Sequence, residues 1–361
     1  MATTSGNWRT PRAKPLVVRV QRYIRKLFRP MAGTVPALSR QSATNIQSAS
    51  SSPPAAKFVR KPAHGSWYRG EHCNFAPAKA ELREEGGIEK FILKGWTPHR
   101  PFVTRQTPVT AFGSCFAAHI SSHLSKAGYN ILTAASDNTK EMNIHNSYVV
   151  RFGEGLVNSA VILQQFQWAY EGRKFDENLW YDKNQSFVDY DESVRKQTKS
   201  IFEKTELFII TLGLSEVWYN KVTDDVFWRA IPANQFDPAI HGFKMLSVLE
   251  NKNNICEIYR IIRKYRGVEC GILFTLSPIP LVATFRDNSC ITSNSVSKAS
   301  LRVAIDEVMR ENQDDKKLFY FPSYEIVKEY FVDPLQDDFR HPKHHVINKI
   351  MRVFENKFCV P

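Results

Sequence analysis

Val109-Thr110-Ala111-Phe112-Gly113-Ser114-Cys115-Phe116-Ala117 is the stretch on which the fold turns. Four apolar or β-prone residues run into glycine and serine. Phe116, Ile120 and Leu124 then recur every four residues, and Gly128 closes the run. That is the pattern of a strand turning directly into a helix. It sets Ser114 at a sheet edge, its hydroxyl beside the open N–H groups of a helix N-terminus, where an oxyanion can be held. Taken alone, the same stretch also fits an ordinary helix with Ser114 as its N-cap.

Outward from it, strands and helices alternate. The pattern predicts strand 109–112, helix 115–127, strand 129–134 and a helix over 157–170. Leu207–Leu212 is a continuous apolar run, as expected of a strand buried on both faces. A helix over 245–265, a buried strand at 271–276, a helix over 296–309, a strand at 318–321 and a last helix over 346–354 follow. Five strands alternating with helices imply an α/β domain with a central parallel sheet covered on both faces. Ligands of such sheets bind at the carboxyl ends of the strands.

The net charge of +13 is unevenly placed. Residues 1–65 hold twelve Lys or Arg and no Asp or Glu, which leaves 37 basic against 36 acidic residues in the rest. The near-neutral remainder gives no case for nucleic-acid binding. Residues 1–65 read as a basic, disordered extension, Ser-, Ala-, Pro- and Thr-rich over 32–56. Within it, residues 16–29 form an amphipathic pattern. Val17, Val20, Ile24, Leu27 and Phe28 share one helical face, and Arg19, Arg22, Arg25, Lys26 and Arg29 crowd the rest. That pattern suits an anionic membrane surface, a partner protein or an organelle transit segment. Residues 66–108 read as an irregular lead-in packed on the domain at 109–361. No apolar run is long enough for a transmembrane helix. Six dispersed cysteines suit a reducing compartment, and the expected location is cytoplasmic, peripheral to a membrane if the tail docks there.

Three polar features fall at strand ends or near the C-terminus: Gly113-Ser114, Gly213-Leu214-Ser215-Glu216 and Asp338-Phe339-Arg340-His341. A serine becomes a nucleophile when a histidine takes its proton, and the histidine needs an acceptor to fix its tautomer. Asp and His three apart can meet in one turn. The chain thus supplies Ser114, Asp338 and His341 in an order and placement suited to acyl transfer.

Phe112-Gly113-Ser114-Cys115-Phe116-Ala117 resembles the signature of the GSCFA family, which is similar to the SGNH (GDSL-type) hydrolases. Thr211-Leu212-Gly213-Leu214-Ser215-Glu216-Val217-Trp218, Leu276-Ser277-Pro278-Ile279-Pro280-Leu281, Phe321-Pro322-Ser323-Tyr324-Glu325 and Asp338-Phe339-Arg340-His341 agree with it. The likeness covers roughly residues 100–355. It implies a three-layer, flavodoxin-like (SGNH-type) domain with about five parallel strands. It implies Ser114 as nucleophile, His341 as general base and Asp338 as orienting carboxylate. The oxyanion hole of such enzymes uses the serine N–H, a glycine N–H and an asparagine amide. Here these map to Ser114, to Gly153 with Gly155 as the alternative, and to Ser215, which stands where asparagine is usual. Either the Ser215 hydroxyl substitutes, or a nearby group such as Asn146 does, or catalysis is weak.

Glu216, Trp218 and Trp228 form a polar and aromatic set suited to holding a sugar, or equally to covering the domain. Val217–Asn220 and Val226–Ala230 are expected to pair as a hairpin. His119 reads as structural. His341 with His345 lacks the acidic or thiol partners of a metal centre, and Cys115 at a helix N-terminus is a weaker nucleophile candidate than its neighbour. No Walker-type or dinucleotide fingerprint is present, so no cofactor is implied. The expected activity is that of a serine esterase or O-acyltransferase on a small-molecule or saccharide O-acyl ester. The competing expectation is a non-catalytic binding or scaffold protein of the same fold.

Overall fold

Strict alternation along each core strand builds the architecture. In the computed structural model, β1 (Val109–Gly113) turns Val109 and Ala111 to one face and Phe112 to the other. β2 (Leu207–Leu212) turns Leu207 and Ile209 to the first face and Phe208, Ile210 and Leu212 to the second. Both faces are therefore apolar, and each is covered by helices. Phe116, Ile120 and Leu124 of α1 (Cys115–Lys126) cover the first face together with the last helix, α6 (His344–Phe358). The second face packs against α2 (Ser159–Phe166), α3 (Glu192–Lys204), α4 (Val248–Arg266) and α5 (Cys290–Glu311). The result is a three-layer α/β fold.

The structure describes residues 70–361 apart from 135–146, 152–154, 176–178, 182–183, 185 and 189–190. The basic extension 1–65 and its amphipathic stretch 16–29 lie outside the described residues, as do Asn146 and Gly153. Residues 72–361 form one unit. No helix among the described residues is long and apolar enough to cross a membrane.

Among the described residues the central sheet is parallel, with four strands rather than the expected five, in the order β1-β2-β5-β6, with β5 at Gly271–Leu276 and β6 at Leu318–Phe321. Val109 pairs with Leu207, Leu207 with Gly271, and Ile272 with Leu318. The strand expected at 129–134 is reduced to one bridge, Ile131 to Val109. Tyr129 and Ile131 still bury against the first face and Leu132 against the second, so burial rather than sheet pairing produced the strand-like pattern. β3 (Glu216–Asn220) pairs antiparallel not with 226–230 but with β4 (His241–Met245), Glu216 opposite Met245. Val226 keeps a single bridge to Tyr219, and the Phe227 N–H donates to the Trp218 carbonyl. The lead-in holds two short helices, Lys79–Arg83 and Gly87–Phe91. It is tied to the domain where Phe102 and Val103 N–H groups reach the Phe358 carbonyl.

Candidate active site

The site begins where β1 ends. Gly113 has φ +132°, and a Cβ there would stand 2.1 Å from the Thr211 carbonyl oxygen, so only glycine lets β1 close on β2 at this point. The next residue, Ser114, is the N-cap of α1, and its Oγ accepts the Phe116 N–H at 3.2 Å. The hydroxyl proton stays available. Capping α1 therefore leaves the Ser114 hydroxyl able to donate its proton.

β2 ends beside it. A Cβ on Gly213 would lie 3.5 Å from Ser114 Cβ and 3.3 Å from Val157 Cβ. The Gly213 N–H donates to the Val157 carbonyl at 2.7 Å. Ser114, Gly213 and Val157 thus converge at the carboxyl edge of the sheet.

Asp338 and His341 lie in the turn just before α6, and neither makes a hydrogen bond to Ser114 among the described residues. His123, near the end of α1, bonds Glu355, near the end of α6, at 3.0 Å. Both helices carry apolar residues into one face of the sheet. At about 1.5 Å rise per residue, the starts of both helices fall at one end. The turn just before α6 carries the dyad. His341 Nδ1 and Asp338 Oδ2 lie 2.5 Å apart, and Asp338 Oδ1 accepts the backbone N–H groups of Arg340 at 2.9 Å and His341 at 3.0 Å. The ring hydrogen bond from His341, then these two N–H groups, hold the Asp338 carboxyl down to about 2. Phe339, between them, takes φ +55°, a conformation side chains rarely adopt, and its ring is exposed. With Asp338 on Nδ1, Nε2 of His341 is left to exchange a proton.

The groups expected as oxyanion donors are engaged elsewhere or lie outside the described residues. The Ser114 N–H continues the sheet ladder, donating to the Thr211 carbonyl at 3.1 Å, so it is already committed. Ser215 is wholly buried and turned away into the core. Its hydroxyl donates to the Ser297 carbonyl at 3.0 Å, and its N–H donates to Ser297 Oγ at 2.7 Å. A hydroxyl has one proton, so Ser215 has none left for an oxyanion. At Gly155 the Arg229 guanidinium lies 2.6 Å from where a Cβ would stand, so glycine is needed for this close approach.

Asn158 is the amide that the sequence pattern did not single out. It follows Val157, is 3 % exposed, and caps α2 by accepting the Val161 N–H on Oδ1 at 2.9 Å. Its side-chain NH₂ meets no acceptor among the described residues. The signal in the sequence was only that of an N-cap, Asn158 before an apolar helical run.

Beneath the strand ends sits Lys298 of α5, 1 % exposed. Its ammonium donates to the carbonyls of Gly213 at 2.6 Å and of Ser277 and Ile279 at 2.8 Å each. Burial pushes it down to about 7, and three carbonyl acceptors oppose that by favouring the charged form.

A cavity of about 510 Å³ opens next to the strand ends, lined in part by Val157, Asn158, Leu214 and Arg340. Glu216, Trp218 and Trp228 all line it too. Glu216 Oε2 accepts from Thr284 at 2.7 Å, and Trp228 stacks on Trp180 with ring centroids 4.2 Å apart.

A GSCFA family model matches residues 108–354. The chain belongs to the GSCFA family. The matched span runs from just before β1 into α6, and so takes in Ser114, the Gly213 turn and the Asp338–His341 turn. Comparison with curated proteins gave no match. The matched span of this GSCFA domain contains every strand of the central sheet.

Proposed function

We propose that the chain is a serine esterase or O-acyltransferase acting on an O-acyl ester of a small molecule, a saccharide above all. The observation that carries this reading is the Asp338–His341 pair, 2.5 Å apart, in the turn before α6, and the Ser114 hydroxyl at the end of β1 supports it. His341 Nε2 takes the proton from Ser114 Oγ, which attacks the ester carbonyl. The acyl C–O bond breaks, and the alcohol leaves with the proton from His341. Water then gives hydrolysis, and a second hydroxyl gives transfer. The Asn158 NH₂ group is the oxyanion donor in this scheme, in place of Ser215. The resemblance to SGNH hydrolases supports the same roles for Ser114, Asp338 and His341. The test is release of acetate from short-chain esters and acetylated saccharides: the wild type should turn over at least one class, and Ser114→Ala should abolish it. Turnover that survives Ser114→Ala would overturn the assignment.

A second reading, a binding protein of the same fold, draws on the committed Ser114 N–H and the inward Ser215 hydroxyl. It predicts saccharide binding with no turnover by the wild type.

A further inference from the structure

The cavity beside the strand ends carries two guanidinium groups that have no acidic partner among the described residues. Arg229 and Arg340 both line it. Neither side chain makes an ion pair or hydrogen bond among the described residues, and Arg340 Nε is shielded from water without a partner. The carboxylate in the same cavity does not serve them. Glu216 Oε2 accepts from Thr284, and Oε1, which has no hydrogen bond, lies 3.8 Å from Arg286, so its ion pair is with Arg286. Arg340 also precedes His341, which links the cavity to the dyad by one peptide bond. Aromatic rings of Trp218, Trp228, Phe243 and Phe285 make up much of the rest of the wall.

A buried or half-buried arginine without a partner is costly, and its planar fork fits carboxylate or phosphate. Aromatic walls suit a sugar ring or another flat or apolar body. We propose that this cavity binds the anionic part of an acidic saccharide ester, its carboxylate or phosphate held by Arg229 and Arg340 and its ring against the aromatic wall. The proposal rests on the esterase or acyltransferase reading and names the substrate class of that site.

The test measures binding without turnover, in the full chain carrying Ser114→Ala. Isothermal titration compares 4-nitrophenyl β-glucoside with its 6-phosphate and with 4-nitrophenyl β-glucuronide. At least one anionic glycoside should bind about tenfold more tightly than the neutral one, as charge-assisted pairing predicts, and the preference should weaken with salt. Whichever anion is favoured tells phosphate from carboxylate. Arg229→Gln and Arg340→Gln should each remove most of the preference, and Arg340→Glu should turn it against the anion. Arg229→Lys, which keeps the charge, should retain part of it even if the glutamine variant loses its thermal transition. Three equal affinities, no binding of any probe, or a preference that survives both glutamine variants would overturn the proposal. The outcome is separate from the catalytic reading. An anion preference in a wild type that hydrolyses no ester would leave the cavity assigned and remove the esterase.

Discussion

Lys298 donates to the Gly213 carbonyl at 2.6 Å, from inside the layer of helices that covers the sheet. The same ammonium holds Ser277 and Ile279, so one side chain ties the carboxyl ends of β2 and β5 together. Neighbouring Ser297 grips Ser215 twice. The turn that borders Ser114 is therefore set by α5.

Lys298→Met should strip three buried carbonyls of their donor. The expected loss is about 2–4 kcal/mol of stability, since each unmet buried acceptor costs about 1–3 kcal/mol and part of the site can relax. Urea unfolding checks this. A variant as stable as the wild type would show that water replaces the ammonium at no cost.

In the proposed scheme the oxyanion role that the sequence pattern gave Ser215 falls to Asn158, and Ser215 ties its turn to α5. Asn158→Asp keeps the acceptor that caps α2 and removes the NH₂ donor. It should leave stability within about 1 kcal/mol while lowering kcat about a hundredfold with less effect on KM. Ser215→Ala should do the reverse, with kcat within a few-fold of wild type and about 1–2 kcal/mol of stability lost where Ser297 loses its partner. Matched kinetics and denaturation of the two variants separate the cases. A kcat lowered only in Ser215→Ala would return the oxyanion role to Ser215.

The fold was legible because its signals are local. The apolar run Leu207–Leu212 and the step from Phe112 through Gly113-Ser114 into α1 each declare their element within a few residues. Asp338 and His341 were legible as a pair for the same reason, being three residues apart in one turn. The orientation of Ser215 was not, because it is decided by Ser297, 82 residues away. Nor were the two cavity arginines, since Arg229 and Arg340 come to one cavity only after the chain has closed, whereas Glu216, Trp218 and Trp228 were legible in the sequence. Tyr129–Ala134 misled because burial against a sheet and membership of it leave the same apolar pattern.

The Asp338 carboxyl sets a pH dependence of known sign. Its folded value, about 2, lies below its ordinary 3.8 because His341 and two backbone N–H groups favour the ionised form. The unfolded chain therefore binds the proton first as pH falls. The contribution of Asp338 to stability should be whole above about pH 4 and lost as pH drops through about 2. Denaturation of wild type and Asp338→Asn at several pH values checks it: their difference should be constant near neutrality and close toward pH 2. A difference that closes already at pH 5 would mean the hydrogen bonds do not hold the carboxylate. On an ester substrate, the same variant should lose about 10²–10⁴-fold in kcat, since the amide can present the wrong hydrogen-bonding partner to His341.

The central claim is that Ser114 is a nucleophile activated by His341. Reaction with a fluorophosphonate, followed by intact-mass and peptide mass spectrometry, tests it most directly. The account predicts one adduct per chain, located on Ser114, absent in Ser114→Ala and slowed at least about a hundredfold in His341→Ala. No adduct on the folded wild type, or an adduct on another residue that persists in Ser114→Ala, would contradict it.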